Sequence, residues 1–261
     1  MALTPAVLKT CLETYVQAGP PTATFDTAHG GMQLPILVAN FMQGMFQAAN
    51  APAAGYVLLT QSNAHMLQAC GNQALCDRFL APLIEGRWFG TMCLSEPHAG
   101  SSLSDIRCMA EPKGDGSHKL TGTKMWISGG EQDVSENIVH MVLARTPDAP
   151  PGVKGISLFL VPKIRVEDDG TLGELNNIAL AGLNYKMGQR GTTNTLLNFG
   201  EGGECLGYLV GGGKRRPQKH VPYDERGAYR CGYARHDVGV GGLSVLAGLR
   251  AQLPAGPAPW R

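Results

Sequence analysis

The spacing of apolar residues changes once along this chain, near Trp88, and that change most constrains the fold. Before it, apolar residues recur at helical intervals over residues 35–49, 56–69 and 73–85, with a loop over 27–35. After it, short runs rich in β-forming residues alternate with turn residues. Helices followed by strands predict an α+β chain.

The β part predicts one compact domain, because its strand-like runs are short and separated by clusters of Gly, Asp and Pro. The runs are residues 119–120, 125–128, 138–144, 156–161 and 195–199. The chain therefore divides into a helical part, residues 1–88, and a β part, residues 89–211.

Composition argues against several classes of protein. The 261 residues carry a net charge of +1, so no overall charge favours nucleic acid or an anionic membrane. We find no signal peptide and no apolar run near the roughly 20 residues that span a bilayer. Seven cysteines, an odd number without a CxxC pair, argue against disulfides or a zinc site and favour a reducing, cytoplasmic location.

The first segment with candidate chemistry is residues 92–105, MCLSEPHAGSSLSD. It predicts a strand end, a Glu-Pro turn and a loop of small residues. Such a loop brings backbone N–H groups and hydroxyls together, which suits a diphosphate or a carbonyl oxygen. Alone this pattern is weak, since most Gly-Ser loops only turn the chain.

The second segment is residues 120–130, LTGTKMWISGG. Residues two apart on a strand point to the same face, so Trp126 and Ser128 could meet one planar ligand. On spacing alone, a structural strand with its tryptophan in the core is the better interpretation.

Together the two segments resemble the acyl-CoA dehydrogenase family of flavoproteins, which combines a (Y/M)-C-x-(T/S)-E-P-x-A-G-S strand-turn with a later W-I-(S/T) strand. Further matches follow in order at residues 155–161, 186–191 and 209–211. The similarity covers about residues 15–211. It favours the large multi-domain branch that includes methylthiopropionyl-CoA dehydrogenases.

The resemblance implies bound FAD, a helical N-terminal domain, a barrel-like middle β domain and a C-terminal helical bundle. It also implies a set of residues that contact the cofactor. They are Met92, Cys93, Leu94, Ser95, Gly100, Ser101, Trp126, Ile127 and Ser128. Ser95 would meet the flavin pyrimidine edge, Ser128 would lie near N5, and Ser101 would approach both the cofactor phosphates and the acyl-CoA pantetheine.

The implied reaction is α,β-dehydrogenation of an acyl-CoA thioester, with electron-transfer flavoprotein as the expected acceptor. A glutamate in the family's helical bundle removes the α proton. Glu204 and Glu225 lie outside the expected context, so no catalytic base is assigned here. A non-catalytic flavoprotein fragment and an acyl-CoA oxidase are the alternatives.

Residues 212–261 are rich in Gly, Pro and basic residues and have no apolar periodicity. A disordered basic tail is one interpretation. We favour out-of-frame translation, because residues 218–233 and 247–251, back-translated and read one base later, can spell parts of the family's bundle. This hypothesis predicts that the bundle and its base are missing, that the chain is inactive, and that the family's homo-oligomer is in doubt.

Overall fold

The structure, a computed structural model, describes residues 4–211, so the predicted out-of-frame tail lies outside the described residues. Helices come first along the described chain, and strands follow. The helices are α1 Ala6–Gln17, α2 Ile36–Ala49, α3 Ala51–Cys70 and α4 Gln73–Ile84. The predicted α+β class is confirmed.

The helices α2 and α4 lie where the apolar spacing predicts them. The helix α3 begins at Ala51, earlier than predicted, because the Asn50 side chain caps it by accepting a hydrogen bond from Ala53 N at 3.0 Å. Only Leu8 and Leu12 of α1 are buried, which is too short a pattern to single out that helix. Within the described residues, no helix has the length and apolarity to cross a bilayer.

The strands of the described chain form one curled sheet and one hairpin. They are β1 Trp88–Cys93, β2 Met109–Pro112, β3 Ser117–Ser128, β4 Asn137–Arg145, β5 Ile156–Pro162, β6 Ile164–Val166, β7 Leu172–Leu175, β8 Ile178–Leu183, β9 Asn194–Phe199 and β10 Leu206–Leu209. The sheet order is β1-β4-β5-β10-β3-β9-β8, and β6 pairs with β7. Because β2 pairs with both β3 and β4, it closes a ring of strands, and the predicted barrel-like form is confirmed.

The predicted strands lie within observed ones, but two of them, residues 119–120 and 125–128, belong to the single strand β3. The sequence did not single out β7 and β8, because β7 is exposed throughout and β8 alternates between half-buried and exposed residues. Edge strands of this kind bury too little apolar surface to show a pattern.

The helices share two apolar cores with the sheet, the first through α3 and α4 and the other through α1 and α3, and a further core lies inside the ring of strands. Leu67 and Phe79 from the helices pack with Trp88 and Met141 in the first core. Buried Asn63 of α3 adds a polar link, since its Nδ2 donates to the Thr91 and Val139 carbonyls at 3.0 and 3.1 Å. The division into separate domains at residue 88 stays a prediction.

Candidate functional site

The two motif segments lie side by side, although the sequence separates them. Beyond β1 the chain runs along the end of β3, where Met125 N donates to the Ser95 carbonyl at 2.9 Å. The Lys124 ammonium donates to the Leu94 carbonyl at 3.0 Å. These bonds fix the end of β1 beside the Trp-Ile-Ser end of β3.

A buried ion pair, formed by Lys124 and Glu96, connects the two segments and forms what we call the base of the site. Lys124 is 0% exposed and Glu96 is 4% exposed, and their charged atoms are 2.9 Å apart. The Glu96 carboxylate also accepts hydrogen bonds from Arg107 N at 2.7 Å and Cys108 N at 3.0 Å. Both charges are thus paired and hydrogen-bonded, as burial requires.

Burial by itself would raise the pKa of Glu96. The Lys124 ammonium and the N–H groups of Arg107 and Cys108 outweigh that effect and hold the pKa below its usual range. The Glu96 carboxyl group is therefore ionised at neutral pH. Sequence reasoning treated Glu96 only as a turn residue and gave Lys124 no role, although a lysine before the apolar end of a strand was a usable signal.

The small-residue loop begins with a tight turn at Glu96, in which Glu96 and Ala99 exchange backbone hydrogen bonds of 2.8 and 3.1 Å. Gly100 and Ser101 follow, and both are exposed. A Cβ atom added to Gly100 would meet no other atom within 4 Å, so the space beside it is open. The loop is therefore open at these two residues, and its use as a donor site for a ligand stays a prediction.

Trp126 interrupts the regular alternation of β3. The pairing of β3 with β9 shifts register between Lys124 and Ile127, and Trp126 lies in this bulge with a φ of 64°. That conformation is rare for a bulky residue and costs about 1–3 kcal/mol. The indole is 51% exposed, so the interpretation of Trp126 as a core residue is wrong.

Ile127 separates two accessible residues, because its own side chain is 2% exposed and packs inside the ring of strands. Ser128, on its far side from Trp126, is half-buried, and Asn194 Nδ2 lies 3.5 Å from its Oγ. Thr195 Oγ1 donates to the Ile127 carbonyl at 3.0 Å. The strand β9 thus fixes the end of β3 from one side.

The connection between β8 and β9 covers part of the indole. The Lys186 ammonium lies 5.5 Å from the centre of the Trp126 ring, within the range of a cation–π contact. Farther along, Thr192 Oγ1 donates to the Pro52 carbonyl at 2.7 Å, and Thr193 N donates to the Tyr56 hydroxyl at 3.0 Å. This connection therefore joins the site to α3.

The predicted cofactor residues fall into two groups. Cys93 and Ile127 bury their side chains, so only their backbone could meet a ligand. The remaining residues are half-buried or exposed and could offer side-chain or backbone groups; they are Met92, Leu94, Ser95, Gly100, Ser101, Trp126 and Ser128. Their contact with a cofactor stays a prediction. Among residues 4–211 no cluster of His, Cys, Asp and Glu could hold a metal ion.

Comparison with known proteins identifies relatives. Over 207 residues the chain is 41% identical to 3-methylmercaptopropionyl-CoA dehydrogenase from Ruegeria pomeroyi, covering 79% of this chain and 35% of the relative. Over 226 residues it is 34% identical to a butyryl-CoA dehydrogenase from Syntrophomonas wolfei, covering 86% and 36%. A scan against models of protein families finds no match.

A solved structure supports the fold. The acyl-CoA dehydrogenase of Bacillus anthracis, complexed with FAD, aligns with a TM-score of 0.69 over 90% of this chain and 36% of that one. Sequence identity is 19%, so this likeness concerns the fold alone.

The strand motifs and the curled sheet define a class of flavoprotein, and the relatives agree with it. The chain belongs to the acyl-CoA dehydrogenase family, as the resemblance predicted. Its similarity to the Ruegeria enzyme agrees with the predicted branch. The chain spans about a third of the length of these curated relatives.

Proposed function

We propose that residues 4–211 bind FAD and an acyl-CoA thioester, as part of an enzyme that dehydrogenates the thioester between its α and β carbons. One observation carries this proposal: the bond from Met125 N to the Ser95 carbonyl joins the two motifs. It brings the Ser95 hydroxyl to the end of the strand that carries Trp126 and Ser128.

The donor set fits FAD. An exposed indole suits the planar isoalloxazine, and the hydroxyls of Ser95 and Ser128 suit its polar edge. The exposed loop at Gly100 and Ser101, with open space beside it, suits the diphosphate. Bound FAD would supply the hydride acceptor, which no side chain can be.

The residues of the chain would bind, orient and shield. Ser95 and Ser128 would donate hydrogen bonds to the flavin, and Trp126 would cover its ring and exclude water. Ser101 would contact both the diphosphate and the pantetheine arm of the substrate. The strained backbone at Trp126 favours this role, since strain is retained where it positions a functional group.

The proton at the α carbon needs a carboxylate that can reach it. Glu96 belongs to the motif, but Lys124 and two backbone N–H groups already occupy its oxygens. We therefore assign the base to the family's helical bundle, which residues 4–211 do not include. Electron-transfer flavoprotein as acceptor and a cytoplasmic location belong to the same proposal, whereas homo-oligomerisation would require the helical bundle.

FAD binding is the first test. The purified 261-residue chain is titrated with FAD while flavin and tryptophan fluorescence are followed. We expect saturable binding that Trp126→Ala weakens and that Leu172→Ala, an exposed apolar residue on β7, leaves unchanged. A chain that is folded by circular dichroism and does not bind FAD would overturn the proposal.

Activity is the second test, with an electron-acceptor dye and acyl-CoA thioesters of several lengths. We expect no turnover from the 261-residue chain and turnover from a version whose reading frame is restored after Gly211. Turnover by the unaltered chain would contradict the assignment of the base. Oxygen consumption without the dye would favour the oxidase alternative.

A further inference from the structure

The loop that carries Gly100 and Ser101 is closed by a second contact, next to the Glu96 carboxylate. His98 Nε2 lies 3.1 Å from the Asp105 carbonyl oxygen and 3.7 Å from Glu96 Oε2. Because a carbonyl can only accept, Nε2 carries a proton and donates it. One imidazole therefore joins the first turn of the loop to the end of the loop.

The tip of this loop, residues 100–102, is exposed and has no apolar side chain of its own. Ala99 before the tip and the partly buried Leu103 after it belong to one apolar cluster, so apolar contacts hold the two ends of the tip. A segment of small exposed residues has high conformational entropy, and that entropy is lost when a ligand orders the segment. A polar contact that also braces the two ends of the segment lowers this loss in advance.

We propose that His98 is a positioning residue for the loop and sets its affinity for a diphosphate. The imidazole fixes the loop so that its N–H and hydroxyl groups converge before the ligand arrives. The inference rests on the proposed FAD site and adds a residue to which neither the motif nor the resemblance gives a role.

The loop and the indole make separate predictions. Lys124 and β9 hold the end of β3 through bonds that do not involve His98. Loss of the imidazole should therefore affect recognition of the diphosphate and leave recognition of the flavin ring intact. Riboflavin, which has the ring without phosphate, is the natural control ligand.

The experiment measures the dissociation constants of FAD and riboflavin for the 261-residue chain and three variants. We expect His98→Ala to weaken FAD by about five- to tenfold, the equivalent of one hydrogen bond, with riboflavin unchanged. His98→Gln retains an N–H donor and should recover most of the FAD affinity. Ser104→Ala removes an exposed hydroxyl that bonds only to neighbouring Asp105 and should change neither constant.

Each other outcome is decisive. Equal weakening of FAD and riboflavin by His98→Ala would assign His98 a general structural role and overturn the inference, as would no weakening of FAD. A parent chain that binds FAD no more tightly than riboflavin would overturn the inference and leave the flavin site standing. A folded parent chain that binds neither ligand would overturn the proposed function as well.

Discussion

The candidate site has a buried base, the Glu96–Lys124 ion pair, and an exposed rim that includes Trp126. The two are built in opposite ways. At the base, Glu96 and Lys124 are buried, and backbone groups satisfy their hydrogen bonds. At the rim, Trp126 is half-exposed in a strained conformation, and Tyr185 and Met187, which flank Lys186, are 82% and 98% exposed. The comparison teaches that motif residues are not all alike: the base holds the site together, and the rim is available to a ligand.

The largest effect should come from breaking the buried ion pair between Lys124 and Glu96. Lys124→Met leaves the Glu96 carboxylate buried without its partner charge, which typically costs about 3–5 kcal/mol. Urea unfolding of the variant should show this loss in the free energy of unfolding. Adding Glu96→Gln should recover part of it, because the uncompensated charge is then gone. An equal or greater loss in the double variant would show that the pair does not act as a unit.

Acid should weaken the buried part of the molecule. Burial, with a smaller effect of Lys163, lowers the pKa of His140 from 6.5 to about 3, so the folded protein holds this ring neutral. The unfolded chain binds a proton below pH 6.5, so stability falls as pH drops from about 6.5 towards 3, by about 1.4 kcal/mol per pH unit. Urea unfolding at several pH values measures the slope.

The His140→Asn variant cannot take up that proton and should flatten the slope, whatever its own stability. Leu172→Ala, which changes an exposed apolar residue and removes no titratable group, serves as the control and should leave the slope unchanged. An unchanged slope in His140→Asn would assign the acid sensitivity to other groups. Glu96 adds to the slope only below about pH 4.5, the ordinary pKa of a glutamate, because the unfolded chain then binds a proton that the folded carboxylate, with its lowered pKa, still excludes.

Trp126→Gly should separate stability from binding at the rim. Glycine accepts the φ of 64° without strain, so the free energy of unfolding should stay unchanged or rise by up to about 1 kcal/mol. FAD binding should weaken, because the aromatic cover is lost. Ile127→Gly, one residue farther along and buried, should instead cost about 3 kcal/mol or more. Similar losses in both variants would contradict the contrast.

The smallest effect concerns Lys186. Its cation–π contact with Trp126 is partly exposed and worth about 0.5–1 kcal/mol. Lys186→Met should shift the tryptophan emission of the flavin-free chain with little change in unfolding, and Lys186→Arg should restore the parent spectrum. An identical emission spectrum in all three proteins would show that this contact is not populated in solution.

Local pattern predicted much of the fold. Helical spacing located α4, and continuous β-forming runs located β4 and β5, because each of these elements buries enough apolar surface to leave a period in the sequence. Helical spacing also located α2, although none of its residues is fully buried. The same reasoning missed β7, which is exposed. On spacing alone it also favoured a core position for Trp126, whereas the resemblance assigned that residue to the cofactor; the structure leaves the indole exposed at a bulge.

The sequence by itself determined the family, the α+β order of elements and the two motif segments. Only the tertiary structure decided that Lys124 neutralises Glu96, that a bulge turns Trp126 outward, and that His98 closes the loop. The physical reason is the range of the interactions. Periodicity records which residues of an element face the core, whereas an ion pair or a shift of register depends on a partner strand that the local sequence does not specify.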